Sequence, residues 1–275
     1  MTDPIPPFGA YALPEKREAL RLRAGKYSGT KLGRWGISYA RKRALKDLPD
    51  PFDVTVMDGV NARLWPRTSR CEKRAFAGVQ VWDALERAAL RQALETSNSE
   101  PFVFLDVGAN VGLYSLILAA RAKALAKPAR FVAIEPDPTN RARLEFNIGA
   151  SGADITVLPY AVSDQEQDGF MGGGKTNRGE VRLMDDGKHA VQIKTLHGIC
   201  KAESIACIDA MKVDIEGHDL RALTAFFKDA PKTLWPRLLI LETGRDTTTP
   251  LLELCMKCGY TITQRAGINS VLTRT

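Results

Sequence analysis

Residues 102–115 read FVFLDVGANVGLYS and combine the signals of a strand, a turn and a helix. The first six residues are an apolar run of the kind found in strands buried on both faces. Gly108 opens a tight turn, and Gly112 permits close packing where an apolar helix begins. The segment predicts that Asp106, Asn110 and the backbone N–H groups of the turn lie at the carboxyl edge of a parallel sheet, where open α/β folds bind ligands.

Four more apolar runs of strand length follow, and they alternate with segments of helical length. The runs are RFVAIE (130–135), DITVL (154–158), AMKVDI (210–215) and RLLILE (237–242). The helical segments are about 112–127, 139–150, 195–205, 217–229 and 248–258. This alternation predicts an α/β fold with a doubly wound, mostly parallel sheet. Within 259–274, YTITQR and NSVLTR have no helix between them and predict an antiparallel hairpin at the sheet edge.

The chain divides into three predicted regions. Residues 1–50 form a basic N-terminal arm, which glycines such as Gly33 interrupt. Residues 51–98 form a small subdomain that packs on the core, with a strand pair (FDVTVM, then NARLW) and the amphipathic helical run VWDALERAALRQALE. Residues 99–275 form the ligand-binding domain.

The positive charge of the chain is concentrated in the arm. Between Lys16 and Lys46 there are eleven Lys or Arg residues and one acid, Glu18, in a chain whose total net charge is +7. The segment is also partly apolar, so it could rest on anionic lipid or another polyanion. The simpler interpretation is a helical extension whose apolar residues pack on the body. No RNA- or DNA-binding signature accompanies the charge, which argues against nucleic acid as a partner.

Composition predicts a globular protein of the cytoplasm. Hydrophobic residues make up 44% of the chain, yet no run approaches the eighteen apolar residues of a membrane span. The N-terminal sequence MTDPIPPFGA has no apolar region typical of a signal peptide. Five irregularly spaced cysteines do not form a disulfide framework.

The glycine turn at 108–112 departs from the pattern that binds dinucleotides. Asn110 occupies the place of the middle glycine, and Asp106 precedes the first glycine, where it would repel a pyrophosphate. Both features favour a positively charged ligand group, such as the amino and sulfonium groups of S-adenosylmethionine. Glu135 ends the second strand, where a carboxylate accepts hydrogen bonds from the ribose hydroxyls of an adenosine ligand.

The predicted strand at 210–215 contains charged residues, which are unusual in a buried strand. In MKVDIEG, alternate positions place Lys212, Asp214 and Glu216 on one face. Charges on an interior strand are costly unless they are paired or functional. Lys212 and Asp214 could form a buried pair, whereas Asp214 and Glu216 fall at the carboxyl end, beside the expected cofactor site. We therefore expect a catalytic role for these two acids.

A second glycine-rich segment, GFMGGGKT (169–176), matches the phosphate-binding loop pattern of nucleotide triphosphatases. A working loop needs a buried strand before it and a helix directly after it. Here the acidic SDQEQD precedes the match, and NRGEVRLMDDG follows it. The context argues against ATP or GTP binding and predicts a flexible loop over 169–179.

Taken in order, these motifs resemble the FkbM-type S-adenosylmethionine-dependent methyltransferases. The resemblance covers about Phe102 to Thr243 and rests on FLDVGANVGLYS, IEPDP, AVSD (161–164), TLHGIC, MKVDIEGHD and LLILET. It implies the Rossmann-like, seven-stranded class I methyltransferase sheet. It also implies O-methylation, most often of a sugar hydroxyl on a glycan, glycolipid or glycosylated metabolite.

The resemblance also implies site residues. Those expected to hold the methionine part of the cofactor are Asp106, Gly108, Asn110 and Gly112. Glu135 would bind the ribose, and the segment from Ala161 to Asp164 would flank the adenine.

The chain departs from the family pattern at two places. His197 stands where the family usually has Asp after Thr-Leu. The family usually has Glu two residues after the Gly of D-[VI]-E-G, where this chain has His218-Asp219. Methyl transfer to a hydroxyl requires removal of its proton. Asp214, Glu216 and His218 are therefore the candidate general bases, with imidazole titrating in a suitable range.

Three alternatives remain at this level. The acids Asp214, Glu216, Asp219 and Glu242 could gather a hard divalent cation, although we expect no metal. A nicotinamide oxidoreductase would use the same sheet, and a non-catalytic adapter could dock on a membrane through the arm. The Asp106 and Asn110 pattern argues against the oxidoreductase. The intact cofactor loop argues against the adapter. Cys255 and Cys258 have no second pair and are interpreted as helix residues of the core.

Overall fold

The computed structural model of the protein describes residues 5–173, 181–184, 189–215 and 217–274. Its α-helices are α1 (Glu15–Arg23), α2 (Lys31–Leu45), α3 (Arg70–Phe76), α4 (Ala84–Thr96), α5 (Leu113–Ala124), α6 (Pro138–Ser151), α7 (Leu196–Ala202), α8 (Asp219–Asp229) and α9 (Pro250–Lys257). Its strands are β1 (Phe52–Met57), β2 (Val60–Leu64), β3 (Phe102–Val107), β4 (Ala129–Ile134), β5 (Thr156–Leu158), β6 (Ala161–Val162), β7 (Gln167–Gly173), β8 (Val181–Met184), β9 (His189–Lys194), β10 (Ala210–Val213), β11 (Leu238–Glu242), β12 (Thr261–Ala266) and β13 (Asn269–Thr273).

The main sheet has seven strands in the order β12-β13-β11-β10-β3-β4-β5. Strands β11, β10, β3, β4 and β5 are parallel, and β13 joins β11 and β12 in antiparallel pairing. The predicted parallel sheet and the predicted terminal hairpin are both confirmed. The strand order of the seven-stranded sheet reverses between β3 and β10. The carboxyl ends of these two strands therefore flank the crevice where such folds bind ligands.

Both faces of the sheet are covered, which explains the continuous apolar runs. In β3, Phe102 and Phe104 join the core on one face, while Val103, Leu105 and Val107 join the core on the other. This division follows from the two-residue period of a strand. The first of these cores also includes buried residues from all three predicted regions, while the region boundaries stay a prediction.

The N-terminal arm is folded against the body. Helices α1 and α2 pack on each other, and Ile37, Ala40 and Ala44 of α2 are buried in the first core. The predicted interruption at Gly33 is wrong, because Gly33 lies inside α2. A Cβ atom at Gly33 would lie 2.2 Å from the carbonyl oxygen of Ser28, so the missing side chain allows close packing of the preceding turn.

A buried ion pair fixes the N-terminal segment to the strand pair β1–β2. Arg63 Nε donates to Asp53 Oδ1 at 2.7 Å, and the backbone N–H groups of Gly9 and Tyr11 donate to Asp53 Oδ2. The Arg63 guanidinium lies between the rings of Tyr11 and Phe146, at 4.6 and 4.0 Å from their centroids. Stacking and fork-like pairing are both typical of arginine in partly buried sites. The N-terminal segment thus docks on the strand pair.

A second, four-stranded sheet includes residues 169–173 of the segment predicted as a loop. Its order is β6-β9-β7-β8, and β7 pairs antiparallel with both neighbours. The prediction of a flexible loop is wrong for 169–173, which lie in β7, while Lys175 and Thr176 lie outside the described residues. The next described element is the strand β8 rather than a helix. The strand–loop–helix architecture of a phosphate loop is therefore not formed by the described residues.

Candidate active site

The turn after β3 brings the backbone of residues 108–110 against the ends of two other strands. Gly108 has φ +79°, and a Cβ atom there would lie 2.0 Å from the carbonyl oxygen of Asp214. Asn110 also has a positive φ of 53°, a conformation that Asn tolerates better than most residues. The N–H groups of Gly108 and Ala109 both donate to the carbonyl of Ile134. Only glycine fits at 108, which locks the turn to the carboxyl end of β10.

Glu135 is buried directly behind this turn. Its Oε2 accepts the backbone N–H of Asn110 at 2.7 Å, and its Oε1 accepts the N–H of Asp137 at 2.9 Å. Burial raises the pKa of Glu135 to about 8, although these two N–H groups act in the opposite direction. The Asn140 side chain is a third donor to Glu135. A carboxylate has about four acceptor sites, so the group retains capacity to accept a ligand hydroxyl.

Lys212 links two acids at the centre of the site. The register of β10 and β3 places Lys212 opposite Asp106, and Lys212 Nζ donates to Asp214 Oδ2 at 3.0 Å. Burial disfavours the ammonium form, but the charges of Asp214 and Asp106 outweigh it and raise the pKa of Lys212. Burial raises the pKa of Asp106, whose Oδ2 accepts the Ser115 hydroxyl at 2.8 Å. Lys212 therefore compensates the charge of the buried Asp106 and orients the more exposed Asp214.

A cavity of about 780 Å³ opens at this edge of the sheet. Its size is within the range of about 300–1,000 Å³ that is usual for ligand pockets. The candidate residues that line it are Gly108, Asn110, Glu135, Ala161 and Asp214. The side chain of Asp214 is 37% exposed, so its carboxylate is accessible from the cavity. The structure thus brings together residues from the ends of β3, β4 and β10.

The other candidates lie behind or beside the cavity wall. Asp106 is buried behind the turn, and Gly112 packs so closely on α6 that a Cβ atom would lie 2.1 Å from Leu144 Cδ1. Asp164 is exposed and accepts the hydroxyl of Ser163. Glu216 lies outside the described residues.

The two histidines that depart from the family pattern do not line the cavity. His218 Nδ1 lies 3.3 Å from the Ser163 hydroxyl, and its pKa is lowered by burial and by the charge of Arg221. His197 lies at the start of α7. Among the candidate bases in the described part of the chain, Asp214 is the one that the cavity exposes.

The sequence reasoning missed several residues of the cavity wall. The Tyr114 hydroxyl donates to Asp83 Oδ2 at 2.9 Å, and Trp82 packs edge-on against the Tyr114 ring. Asp83 has a positive φ of 44°. The sequence could have indicated Tyr114, because this residue lies two positions after Gly112 of the glycine motif. No local pattern singles out the segment at 82–83, which reaches the site only through tertiary packing.

The site fits the chemistry of S-adenosylmethionine. Within the described residues, Asp106 Oδ1 and Asn110 Oδ1 are buried oxygens without a hydrogen-bond partner. Buried acceptors are costly unless a donor reaches them. Asn110 lines the cavity, where ligand amino or hydroxyl groups could supply such donors. The Asp214 carboxylate suits the positive charge of the cofactor, and the Glu135 carboxyl group in the same cavity suits its ribose hydroxyls.

Metal binding finds no support in the described part of the chain. No group of three or more His, Cys, Asp and Glu residues is placed there to hold a metal ion. Asp219, one of the acids considered above, accepts the backbone N–H groups of Ile215 and Gly217 instead. Its carboxylate therefore braces the turn after β10.

We predict that Glu135→Gln weakens binding of S-adenosylmethionine by roughly tenfold to a hundredfold above pH 8, where Glu135 is ionised, since a hydrogen bond to a charged group contributes about 1.5–3 kcal/mol. The amide retains the shape of the side chain but loses one acceptor oxygen. Isothermal titration calorimetry measures the effect. Glu145→Gln, an exposed change on α6, is the matched control. A Kd within twofold of the wild type would exclude Glu135 from the ribose site.

A pH dependence of cofactor affinity follows from the raised pKa of Glu135. The ionised carboxylate is the better acceptor for ribose hydroxyls, so binding below the pKa requires loss of a proton. Affinity should therefore rise with pH up to about 8 and level off above it. The amino group of the cofactor also titrates at about 8, so Glu135→Gln serves as the reference. Identical pH profiles for both proteins would contradict the prediction.

Comparison with known proteins yields one family and two curated relatives. The profile of the methyltransferase FkbM domain matches residues 106–261. The chain is 27% identical over 141 residues to the hexuronic acid methyltransferase AglP of Haloferax volcanii, an alignment that covers 50% of this chain and 55% of AglP. It is 46% identical over 66 residues to the AMB antimetabolite synthetase AmbE of Pseudomonas aeruginosa, covering 24% of this chain and 3% of AmbE. The chain thus spans about half the length of AglP and a small part of AmbE.

Among solved structures, similar chains include two methyltransferases. One is the SAM-dependent methyltransferase from Agrobacterium tumefaciens, with a TM-score of 0.46 and 14% identity over 82% of this chain and 70% of that chain. Another is the tRNA (uracil-54, C5)-methyltransferase of Pyrococcus abyssi in complex with S-adenosyl-L-homocysteine, with a TM-score of 0.43 and 13% identity over 81% of this chain and 42% of that chain.

Proposed function

Because this chain belongs to the FkbM methyltransferase family, we propose that it transfers a methyl group to a sugar hydroxyl. Membership of this family supports S-adenosylmethionine-dependent methyl transfer. This activity, the acceptor and the roles of individual residues are our proposal. The name of the relative AglP, a hexuronic acid methyltransferase, supports a sugar-containing acceptor. A glycan, a glycolipid and a glycosylated metabolite all offer such a hydroxyl.

One observation supports the proposal most strongly. The carboxylate of Asp214 lies in the same cavity as Asn110 and Glu135. The cofactor supplies an electrophilic methyl group on its sulfonium. A sugar hydroxyl is a weak nucleophile until its proton is removed, so a general base next to the methyl group is what O-methylation requires.

In the proposed mechanism, Asp214 accepts the proton of the acceptor hydroxyl. Lys212 donates a hydrogen bond to the Asp214 carboxylate and holds it in one orientation. Asn110 and Glu135 position the cofactor, and Asp106 supports the turn from behind. Proximity and alignment of the hydroxyl with the methyl group provide much of the rate enhancement in such displacements.

The function is tested by incubating the protein with S-adenosylmethionine and a panel of mono- and disaccharides. We expect S-adenosylhomocysteine to form in step with a sugar that has gained one methyl group on oxygen, as detected by mass spectrometry and NMR. Formation of an N- or C-methylated product from other acceptors would refute the sugar-hydroxyl assignment and leave the methyltransferase assignment intact.

The outward face of α2 supports a further proposal of peripheral contact with an anionic membrane. Leu32, Trp35 and Tyr39 recur at helical spacing and are 79%, 67% and 53% exposed. The rings of Trp35 and Tyr39 stack with their centroids 5.7 Å apart. Exposed Lys31 and Lys42 lie on the same helix. No helix in the described part of the chain could cross a membrane.

We expect the triple change Leu32→Ser, Trp35→Ser and Tyr39→Ser to reduce binding to phosphatidylglycerol vesicles by about tenfold or more, because interfacial binding scales with buried apolar area. Co-sedimentation of the protein with vesicles measures this. Leu85→Ser with Leu125→Ser removes exposed leucines elsewhere and should leave binding unchanged. Wild-type protein that stays in the supernatant would remove membrane contact from the proposal.

A further inference from the structure

A second cavity, of about 870 Å³, adjoins the cofactor cavity and is lined by positive side chains. Arg34, Arg70, Arg74 and Trp82 line both cavities, so the two are continuous. We call the basic wall the arginine groove, and its members are Arg34, Arg41, Arg70, Lys73 and Arg74.

Two helices build the arginine groove by their periodicity. Arg34 and Arg41 lie two turns apart on α2 and therefore share a face. Arg70 and Arg74 lie one turn apart on α3 and do the same. The opposite side of α3 is anchored in the core, which leaves its basic side toward the groove. The outward stripe of α2 described above lies on a different face of that helix.

Three arginines of the groove have no carboxylate partner among the described residues. Across the described ranges, no carboxylate lies within 4.0 Å of the guanidinium groups of Arg34, Arg41 or Arg74. Burial and the nearby charge of Arg74 lower the pKa of Arg41. Like charges held together disfavour the folded state, and a bound anion would relieve this cost.

The acids nearest the groove are already engaged. Asp83 accepts the Tyr114 hydroxyl, Glu86 Oε1 accepts the Asn269 amide, and Glu72 pairs with Arg143. Their positions are fixed by these bonds and by packing. The lining of this cavity includes five Arg or Lys side chains and two carboxylates, Asp83 and Glu86, so positive charge remains in excess. The planar guanidinium donors suit carboxylate and phosphate oxygens.

We propose that the arginine groove binds an oxyanion carried by the methyl acceptor, so that the enzyme selects acidic sugars, bearing a carboxylate or a phosphate, over neutral ones. The inference rests on the proposed function in taking the acceptor to be a sugar. A ligand that spans the shared boundary at Trp82 would have its anion among the arginines and its hydroxyl in the cavity that contains Asp214.

The test is calorimetric titration with glucuronate, glucose 6-phosphate and glucose, and with inorganic phosphate as the anion alone. We expect both acidic sugars to bind about tenfold or more tightly than glucose, and inorganic phosphate to compete with them. Arg34→Gln with Arg74→Gln should weaken the acidic sugars by about tenfold or more, in line with loss of charge-assisted hydrogen bonds, and leave glucose unaffected. The difference between glucuronate and glucose 6-phosphate shows which oxyanion the groove prefers.

The matched control is Lys42→Gln with Lys46→Gln, which removes two exposed charges from the arm outside the groove. It should change no affinity by more than twofold. Equal binding of acidic and neutral sugars, or failure of both acidic sugars and phosphate to bind, would overturn the inference. So would weaker binding of S-adenosylmethionine by the arginine variant, because the groove would then hold the cofactor's carboxylate.

The two proposals fail in different ways. Suppose that the protein methylates a neutral sugar and that Arg34→Gln with Arg74→Gln does not change this rate. The proposed anion site would then be refuted, and the proposal of sugar O-methylation would stand. Binding of acidic sugars through the arginines, with no methyl transfer to any hydroxyl, would preserve the anion site and remove the proposed reaction.

Discussion

Asp214→Asn is expected to lower kcat by about a thousandfold or more, since a positioned general base contributes roughly 10²–10⁴-fold to proton removal. The amide keeps the size and shape of the carboxylate, and it can still accept the hydrogen bond from Lys212. It cannot take a proton from a hydroxyl at neutral pH. Single-turnover methyl transfer measures the chemical step directly.

Cofactor affinity distinguishes a catalytic defect from a folding defect in this variant. We expect the Kd for S-adenosylmethionine to stay within a few-fold of the wild type, because Asn110 and Glu135 are unchanged. Asp229→Asn, an exposed change at the end of α8, should retain full activity. Full activity of Asp214→Asn would remove this residue from proton transfer and leave His218 and Glu216 as the candidates to test.

Gly108→Ala is expected to abolish measurable cofactor binding and to destabilise the fold by about 3 kcal/mol or more. A Cβ atom 2.0 Å from the Asp214 carbonyl oxygen cannot be accommodated without moving backbone. Overpacking costs about 1–3 kcal/mol, and the positive φ adds about 1–2 kcal/mol for a residue with a side chain. Displacing the turn also moves the N–H of Asn110 from Glu135. Thermal unfolding and calorimetry together measure both effects.

Gly259→Ala separates the effect of backbone strain at positive φ from the effect of the close contact with Asp214. Gly259 has φ +87°, close to that of Gly108, but a Cβ atom there meets nothing within 4 Å. Its substitution should cost only about 1–2 kcal/mol, from backbone strain alone, and should leave cofactor affinity unchanged. Equal losses in the two variants would mean that strain, and not the contact with Asp214, makes glycine necessary at 108.

The sheet and the cofactor turn could be predicted because their signals are local. The run at 102–107 is observed as β3 with the predicted bounds, and the hairpin formed by β12 and β13 was visible as two strands without an intervening helix. A parallel strand buried on both faces must be apolar throughout, and a turn with positive φ at a point of close approach must use glycine. Asp214 was visible because charge on a buried strand is rare.

The second sheet and the groove could not be predicted because their signals are tertiary. Three of the five residues at 169–173 are glycines, which are depleted in strands, and pairing with β8 and β9 overrides that local preference. Gly33 suggested an interruption, yet close packing against Ser28 is what requires it. Arg34 and Arg74 belong to separate helices, and nothing in the linear sequence indicates that they line one cavity.

The residues that line the two joined cavities come from different parts of the chain. Asn110, Glu135 and Asp214 lie inside the segment shared with the family, 106–261. Arg34 and Arg74 precede that segment, and Gly267 at the tip of the terminal hairpin follows it. With the acceptor selected by the arginine groove, as we propose, chemistry and acceptor choice can diverge independently during evolution. Members that share the central segment would inherit one reaction and acquire different substrates by exchanging their two ends.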